Sequence, residues 1–230
     1  MQSVARDAAV TRERRDAILP AGIASAEAVV PPVAILMSTP FWFYWAQIAI
    51  RHQSIANMHR AKAEADRSSL SESLTAETQA SMVAITASAH AIDAFYGKCE
   101  ADIVIPPETL QRWERRRPSR KNKLLQTFGF GFDVDTQRWQ GGFDWLFGSA
   151  RDRAVHHGER TRSVVLHPVE TYTAPEIVDY SVESSARAVD LMLDVLDKCT
   201  SSPKKTLPGL VTKCEAIRRQ VEELFSLREC

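Results

Sequence analysis

Beyond residue 40 the apolar residues return at three- and four-residue steps over most of the chain, the spacing that lines up one face of an α-helix. From Phe41 to Arg67 the stripe reads Phe41, Trp45, Ile48, His52, Ile55 and His59, with Gln47, Arg51 and Asn57 between them, and the Ser-rich run 68–73 ends it. A second long helix is predicted from Thr75 to Tyr96, carrying Met82, Ile85, Ala89, Ile92 and Tyr96, with Gly97 as its C-terminal cap. The small residues Ala84, Ser88 and Ala91 would let a neighbour pack closely. Pro106 and Pro107 open a short, strongly basic helix that Pro118 closes. A further short helix covers Lys121 to Phe128, and Gly129, Gly131 and Asp133 read as a turn. Asp135 to His157 then reads as one helix with Trp139, Phe143, Leu146, Phe147, Ala150 and Ala154 on its apolar side, ending at Gly158.

The period shortens between Glu159 and Tyr172, where Val164, Val165 and Leu166 suit one arm of a small hairpin. Thr173 and Glu176 have capping-box spacing and Pro175 suits a first turn, so the next helix is predicted from Thr173 along Ile177, Val178, Val182, Val189, Leu193 and Leu196 to Cys199. After a linker, Ser201 to Pro208, a last helix from Gly209 to Arg228 places Leu210, Cys214, Ile217, Val221 and Leu224 on one face. That face either packs back on the bundle or pairs with another chain. The fold class is therefore all-α: a multi-helix bundle of about five long helices with short accessory helices and room for one small β-hairpin. Residues 1–39 form a polar arm and Pro-rich connector, 40–200 the bundle, and 201–230 the linker and C-terminal helix.

A chain of 230 residues that is 44% hydrophobic can bury a sizeable core without disulfides. The four cysteines Cys99, Cys199, Cys214 and Cys230 are scattered and have no histidine at ligand spacing, which argues against a metal site and fits a reducing cytoplasm. No cofactor motif is present: Gly129-Phe130-Gly131 lacks the third glycine of a dinucleotide loop. The 29 basic and 29 acidic residues cancel, so any nucleic-acid partner must be met by a local patch. Ala28 to Ile50 is uncharged and long enough to span a bilayer. Pro31, Pro32 and Pro40 interrupt it and the amphipathic stripe runs past its end, so no membrane association is expected. Residues 1–15 are charged and lack the apolar core of a secretory signal.

Two features could carry chemistry. The first is Arg151-Asp152-Arg153-Ala154-Val155-His156-His157-Gly158, at the tail of an aromatic-rich helix. A guanidinium can hold two phosphate oxygens, and a histidine titrating near neutrality can move the protons that RNA cleavage requires. The same bare spacing recurs at Arg162 and His167, but there it falls in the strand-like stretch. On these residues the chain resembles the HEPN superfamily, helical-bundle domains whose RNA-cleaving members carry an Arg, a polar residue and then a His. Arg151, Asp152 and His156 take those places, with Asp152 where Asn is the commoner choice. The resemblance implies a metal-independent endoribonuclease, acting in stress or phage defence and in some members paired with an antitoxin, with His156 as general acid or base, Arg151 on the scissile phosphate, and Asp152 and His157 orienting them. On a regular helix Arg151 and His156 are about 140° apart, so either the helix ends before His156 or two chains share the site, as family members do across a homodimer.

The alternative reading of the motif is a helix terminus, where His156 and His157 offset the negative end of the dipole and Arg151 pairs with Asp144 or Glu159. The second feature is the basic cluster Arg112, Arg115, Arg116, Arg117, Arg120, Lys121 and Lys123, with Trp113 inside it and only Glu114 opposing it. It suits RNA, with phosphates on the cations and a base on the indole, or else it is a solvated helix face. The competing functional class is a non-catalytic helical module for binding protein or RNA.

Overall fold

A computed structural model describes residues 40–151 and 163–229. These are organised around a long antiparallel pair, α1 (Phe41–Ala65) and α2 (Leu70–Cys99). The expected arm, residues 1–39, lies outside the described residues. Asp66 breaks the first helix from the second: its Oδ1 accepts from the Ser68 backbone N–H at 2.9 Å and from the Ser68 hydroxyl at 2.7 Å. The break is therefore a three-residue turn rather than the whole Ser-rich run, and Ser71 and Ser73 belong to α2. Leu74 needs that extra turn, since it packs with Ala63 and Val169 in a small second core.

The face α1 buries is not the predicted stripe. Phe41 is 65% exposed and Trp45 lies at the surface, whereas Trp42, Phe43, Ala46, Ala49, Ile50, Ala56 and Ala63 are buried. Close approach of two long helices selects small side chains: α1 buries Ala46, Ala49, Ala56 and Ala63, and α2 buries Ala84, Ser88 and Ala91. Gly97 likewise lies inside α2 rather than capping it, because the buried stripe runs on through Phe95 and Tyr96 to Cys99.

Next come the short basic α3 (Pro107–Arg116) and α4 (Arg120–Gly131). Gly129 and Gly131, expected in a turn, end α4 as helical residues. At Gly131 a Cβ would lie 2.6 Å from Ile103, so the glycine admits a side chain rather than a bend. The predicted helix 135–157 is helical as far as it is described but uneven. A 3₁₀ turn (Thr136–Trp139), α5 (Gln140–Trp145) and a π turn (Leu146–Ala150) follow one another to Arg151. Its aromatics complete the core, with Phe95 between Trp42, Phe128 and Phe132 at 6.0–6.3 Å and Trp139 edge-on to Phe128.

The hairpin forms, with β1 (Val165–His167) antiparallel to β2 (Thr171–Thr173). Thr173 pairs with Val165 in it and so does not cap the helix that follows. That helix is also two: α6 (Pro175–Asp179), then a break at Tyr180 and Ser181, then α7 (Val182–Ser201). The last helix, α8 (Pro208–Glu229), packs back on the bundle, burying Leu210, Cys214, Ile217, Val221 and Leu224 against α7 and α1. That predicted stripe is therefore spent within the chain, while Phe225 and Leu227 near the end of the same helix remain exposed. The architecture is all-α, a helical bundle with, among the described residues, one two-stranded hairpin. Among the described residues no helix is long and apolar enough to cross a membrane. Cys99, Cys199 and Cys214 are unpaired and buried, and burial pushes the Cys99 thiol up to about 12.

A buried charge cluster ties the hairpin to the bundle. Arg60 reaches Glu77 through two hydrogen bonds of 3.0 and 2.7 Å and Glu183 through two of 2.8 and 3.1 Å. Glu77 also accepts from the Val182 N–H at 3.0 Å, satisfying one orphan donor at the start of α7. His167 is 1% exposed, and its Nε2 lies 4.0 Å from Glu77. The Val169 N–H donates to Nδ1, which places the imidazole proton on Nε2. Burial lowers the pKa of His167 below 6.5, Arg60 adds to this, and Glu77 and Glu183 oppose it. A histidine held neutral costs stability when it must be protonated, so its contribution is complete above about pH 6.5 and is lost as pH falls towards the folded-state value. Urea unfolding of His167→Gln should therefore show a shallower acid-side loss between pH 5 and 6.5 than the parent. An unchanged slope would assign that loss elsewhere, to His52 among others, whose pKa burial also lowers.

Candidate functional site

The basic cluster divides by what its members touch. Arg120 donates from Nε to Asp93 at 2.6 Å, and its guanidinium lies 4.3 Å over the Tyr96 ring. Lys121 pairs with Asp144 on α5. These two cations are committed to carboxylates of the bundle. Arg112, Arg115, Arg116 and Arg117 are exposed, and among the described residues none of them has a carboxylate partner. Their charge faces solvent on α3 and the turn after it.

That turn is strained. Arg117 adopts φ 44° and ψ 61°, the left-handed region, ending α3 with its N–H on the Trp113 carbonyl. For a residue with a Cβ this costs about 1–2 kcal/mol, and Pro118 fixes the direction in which the chain leaves. Trp113, half-buried, donates from Nε1 to Gln126 Oε1 on α4 at 2.9 Å, which locks the indole across the elbow between the two helices. The Lys123 ammonium stands 5.7 Å from the centre of that ring. Leu110, Trp113, Glu114, Arg117, Pro118 and Lys123 line an open groove of about 560 Å³ there.

Arg151 follows the π turn, its N–H reaching back five residues to the Leu146 carbonyl. Its guanidinium packs over Phe147, 5.8 Å from the ring centre. The preceding carbonyl, that of Ala150, accepts a 3.0 Å hydrogen bond from the hydroxyl of Tyr180, itself buried at the break between α6 and α7. Tyr180 thereby fixes the backbone from which Arg151 projects, a role no sequence spacing announces. Asp152, His156 and His157 lie outside the described residues. Asp144, one candidate partner for Arg151 under the helix-terminus reading, is engaged by Lys121 and by Gln140, and those hydrogen bonds hold its carboxyl below the usual range.

The two candidate features meet at one contact. Lys121 pairs with Asp144, and its ammonium comes within 4.0 Å of the position a Cβ would take on Gly148. α4 packs against both α5 and the π turn, so it lies along the segment that delivers Arg151. Arg187 on α7 adds a further exposed cation there, its guanidinium 4.4 Å over the Trp145 ring. Neither Arg187 nor Trp145 formed part of the sequence pattern, because α7 is distant in the chain. Comparison with protein-family models, curated proteins and solved structures gave no match.

Proposed function

We propose that the chain is a metal-independent endoribonuclease of HEPN type, cytoplasmic and working as a homodimer on RNA. The observation that carries the reading is the Lys121–Asp144 contact, which sets the basic α3–α4 unit beside the segment ending in Arg151. RNA held along Arg112, Arg115, Arg116 and Arg117 would run towards that segment. There His156 takes the proton from a 2′-hydroxyl, the 2′-oxygen attacks phosphorus, and the bond to the 5′-oxygen breaks as a second imidazole supplies its proton. Arg151 offsets charge on the phosphate oxygens. The products are a 2′,3′-cyclic phosphate and a 5′-hydroxyl, without any oxidant or metal. Stress or phage defence, with an antitoxin as regulatory partner, is the setting the resemblance implies.

Incubation of the purified protein with total RNA tests this directly. Cleavage that survives EDTA and leaves cyclic phosphate ends is the expected result, while intact RNA across pH 6–8 would remove the catalytic reading. One observation favours the other class: the first turns of α1 leave Phe41, Tyr44 and Trp45 exposed at three- and four-residue spacing, an apolar surface suited to a protein partner. Intact RNA would leave that non-catalytic interaction module standing.

A further inference from the structure

The groove at the elbow of α3 and α4 combines four properties that do not usually coincide on a solvated helix face. Its floor is an indole fixed in place by Gln126 rather than free to turn. Its walls include the stems and charges of Arg117 and Lys123, with Leu110 and Pro118 supplying apolar area. Among the described residues, the cations beside it have no carboxylate to neutralise them, unlike Arg120 and Lys121 on α4. The backbone at Arg117 is held in the left-handed region, and strain of that kind concentrates at ligand sites. Glu114 at the rim is the single carboxylate among the described lining residues.

A flat apolar ring beside uncompensated cations matches an unpaired nucleobase with its flanking phosphates. It does not match a duplex, whose bases are stacked on one another and whose A-form major groove is too narrow to admit side chains. We infer that this groove seats one unpaired base of single-stranded RNA on Trp113, with Arg117 and Lys123 meeting the adjoining phosphates. The inference rests on the reading of the chain as RNA-directed, but not on catalysis. It makes the elbow the element that selects single strands before the strand reaches Arg151.

The test uses the full chain and 2′-O-methyl RNA, which lacks the attacking hydroxyl and so separates binding from cleavage. Fluorescence anisotropy is read with a labelled single strand of twelve or so nucleotides, with the same strand annealed to its complement, and with inorganic tripolyphosphate as competitor. The single strand should bind more tightly than the duplex. Trp113→Leu should weaken single-strand binding about ten- to hundredfold while Trp113→Phe, which keeps a stacking ring, stays within a few fold. Arg117→Ala should lower the salt dependence by about one counterion per lost contact, a slope Trp113→Leu leaves unchanged. Equal binding of duplex and single strand overturns the inference, as does complete displacement by tripolyphosphate, or a Trp113→Phe variant as impaired as Trp113→Leu while both melt like the parent. RNA cut normally by Trp113→Leu at sub-saturating RNA would likewise remove the groove and leave the nuclease reading in place. Trp113-dependent binding without any cleavage of ordinary RNA would do the reverse.

Discussion

His156→Ala is expected to lower the single-turnover rate of RNA cleavage by about two to four orders of magnitude, the usual worth of a positioned proton-transfer group, while RNA affinity changes little. The complementary change, Arg115, Arg116 and Arg117 all to Ala, removes cations that lean on no carboxylate of the fold. It should weaken binding broadly, reduce its salt dependence by about one unit per lost phosphate contact, and spare the chemical step at saturating RNA. The two variants thus separate a rate from an affinity. Neither should alter helicity, since the arginines are exposed and the histidine follows the last packed aromatic of its segment. Should His156→Ala unfold the protein, with no cleavage detectable in the parent, the motif is a helix terminus and the interaction-module reading replaces the nuclease.

Glu77→Ala should be among the more damaging single changes to the fold, costing about 3–5 kcal/mol, because it leaves the buried Arg60 guanidinium with only the half-exposed Glu183 as a carboxylate partner and frees a helix N–H. Glu77 is 1% exposed and serves three elements at once: Arg60 on α1, Val182 at the start of α7, and His167 in the hairpin. For a domain of this size the loss corresponds to roughly 6–20 °C in melting temperature. Glu183→Gln is the contrasting case. Arg60 holds that carboxyl down to about 2, yet its side chain is 57% exposed, so solvent screening limits the loss to about 1 kcal/mol or less. Arg60→Met combined with Glu77→Leu should recover part of the damage, since an apolar pair replaces the buried charges, but not all of it. The Val182 N–H would still lack an acceptor, worth about 1–3 kcal/mol. A Glu77→Ala protein melting within 2 °C of the parent would contradict this account.

Periodicity carried the fold where a helix has one wet and one dry side. The last helix is the clear case: Leu210, Cys214, Ile217, Val221 and Leu224 are its buried residues, as their spacing predicts. It misled on α1, because a helix packed closely against its neighbour buries alanines, and alanine reads as weakly apolar beside Phe41 or Trp45. Glycine misled for a related reason. Gly97 and Gly131 look like punctuation in a one-dimensional reading, but Gly131 is there because Ile103 occupies the space its side chain would need. Thr173 had the right spacing for a cap and the wrong location, its backbone already paired with Val165.

The candidate site was legible as residue types and not as relationships. The cluster from Arg112 to Lys123 stands out by charge alone, yet which of its members are neutralised depends on Asp93 and Asp144, each more than 20 residues away. Nor could spacing reveal that Tyr180 pins the Ala150 carbonyl, or that Gln126 fixes Trp113. Such contacts are made where one element packs on another, and the pattern within a single helix holds no record of them.

The π turn before Arg151 has a geometric meaning of its own. A stretch in which each N–H reaches back five residues holds one residue more than an α-helix of the same course, so it acts as a single-residue insertion absorbed without disturbing Phe143 or Trp139 on the turns before it. Each residue of an α-helix is worth about 100° of rotation about the axis. Arg151 therefore sits beyond a built-in slack of one residue: deleting one residue between Leu146 and Ala150 should relax the turn to α-helix and leave the direction of the guanidinium nearly unchanged, where the same deletion in an uninterrupted helix would swing it through that angle.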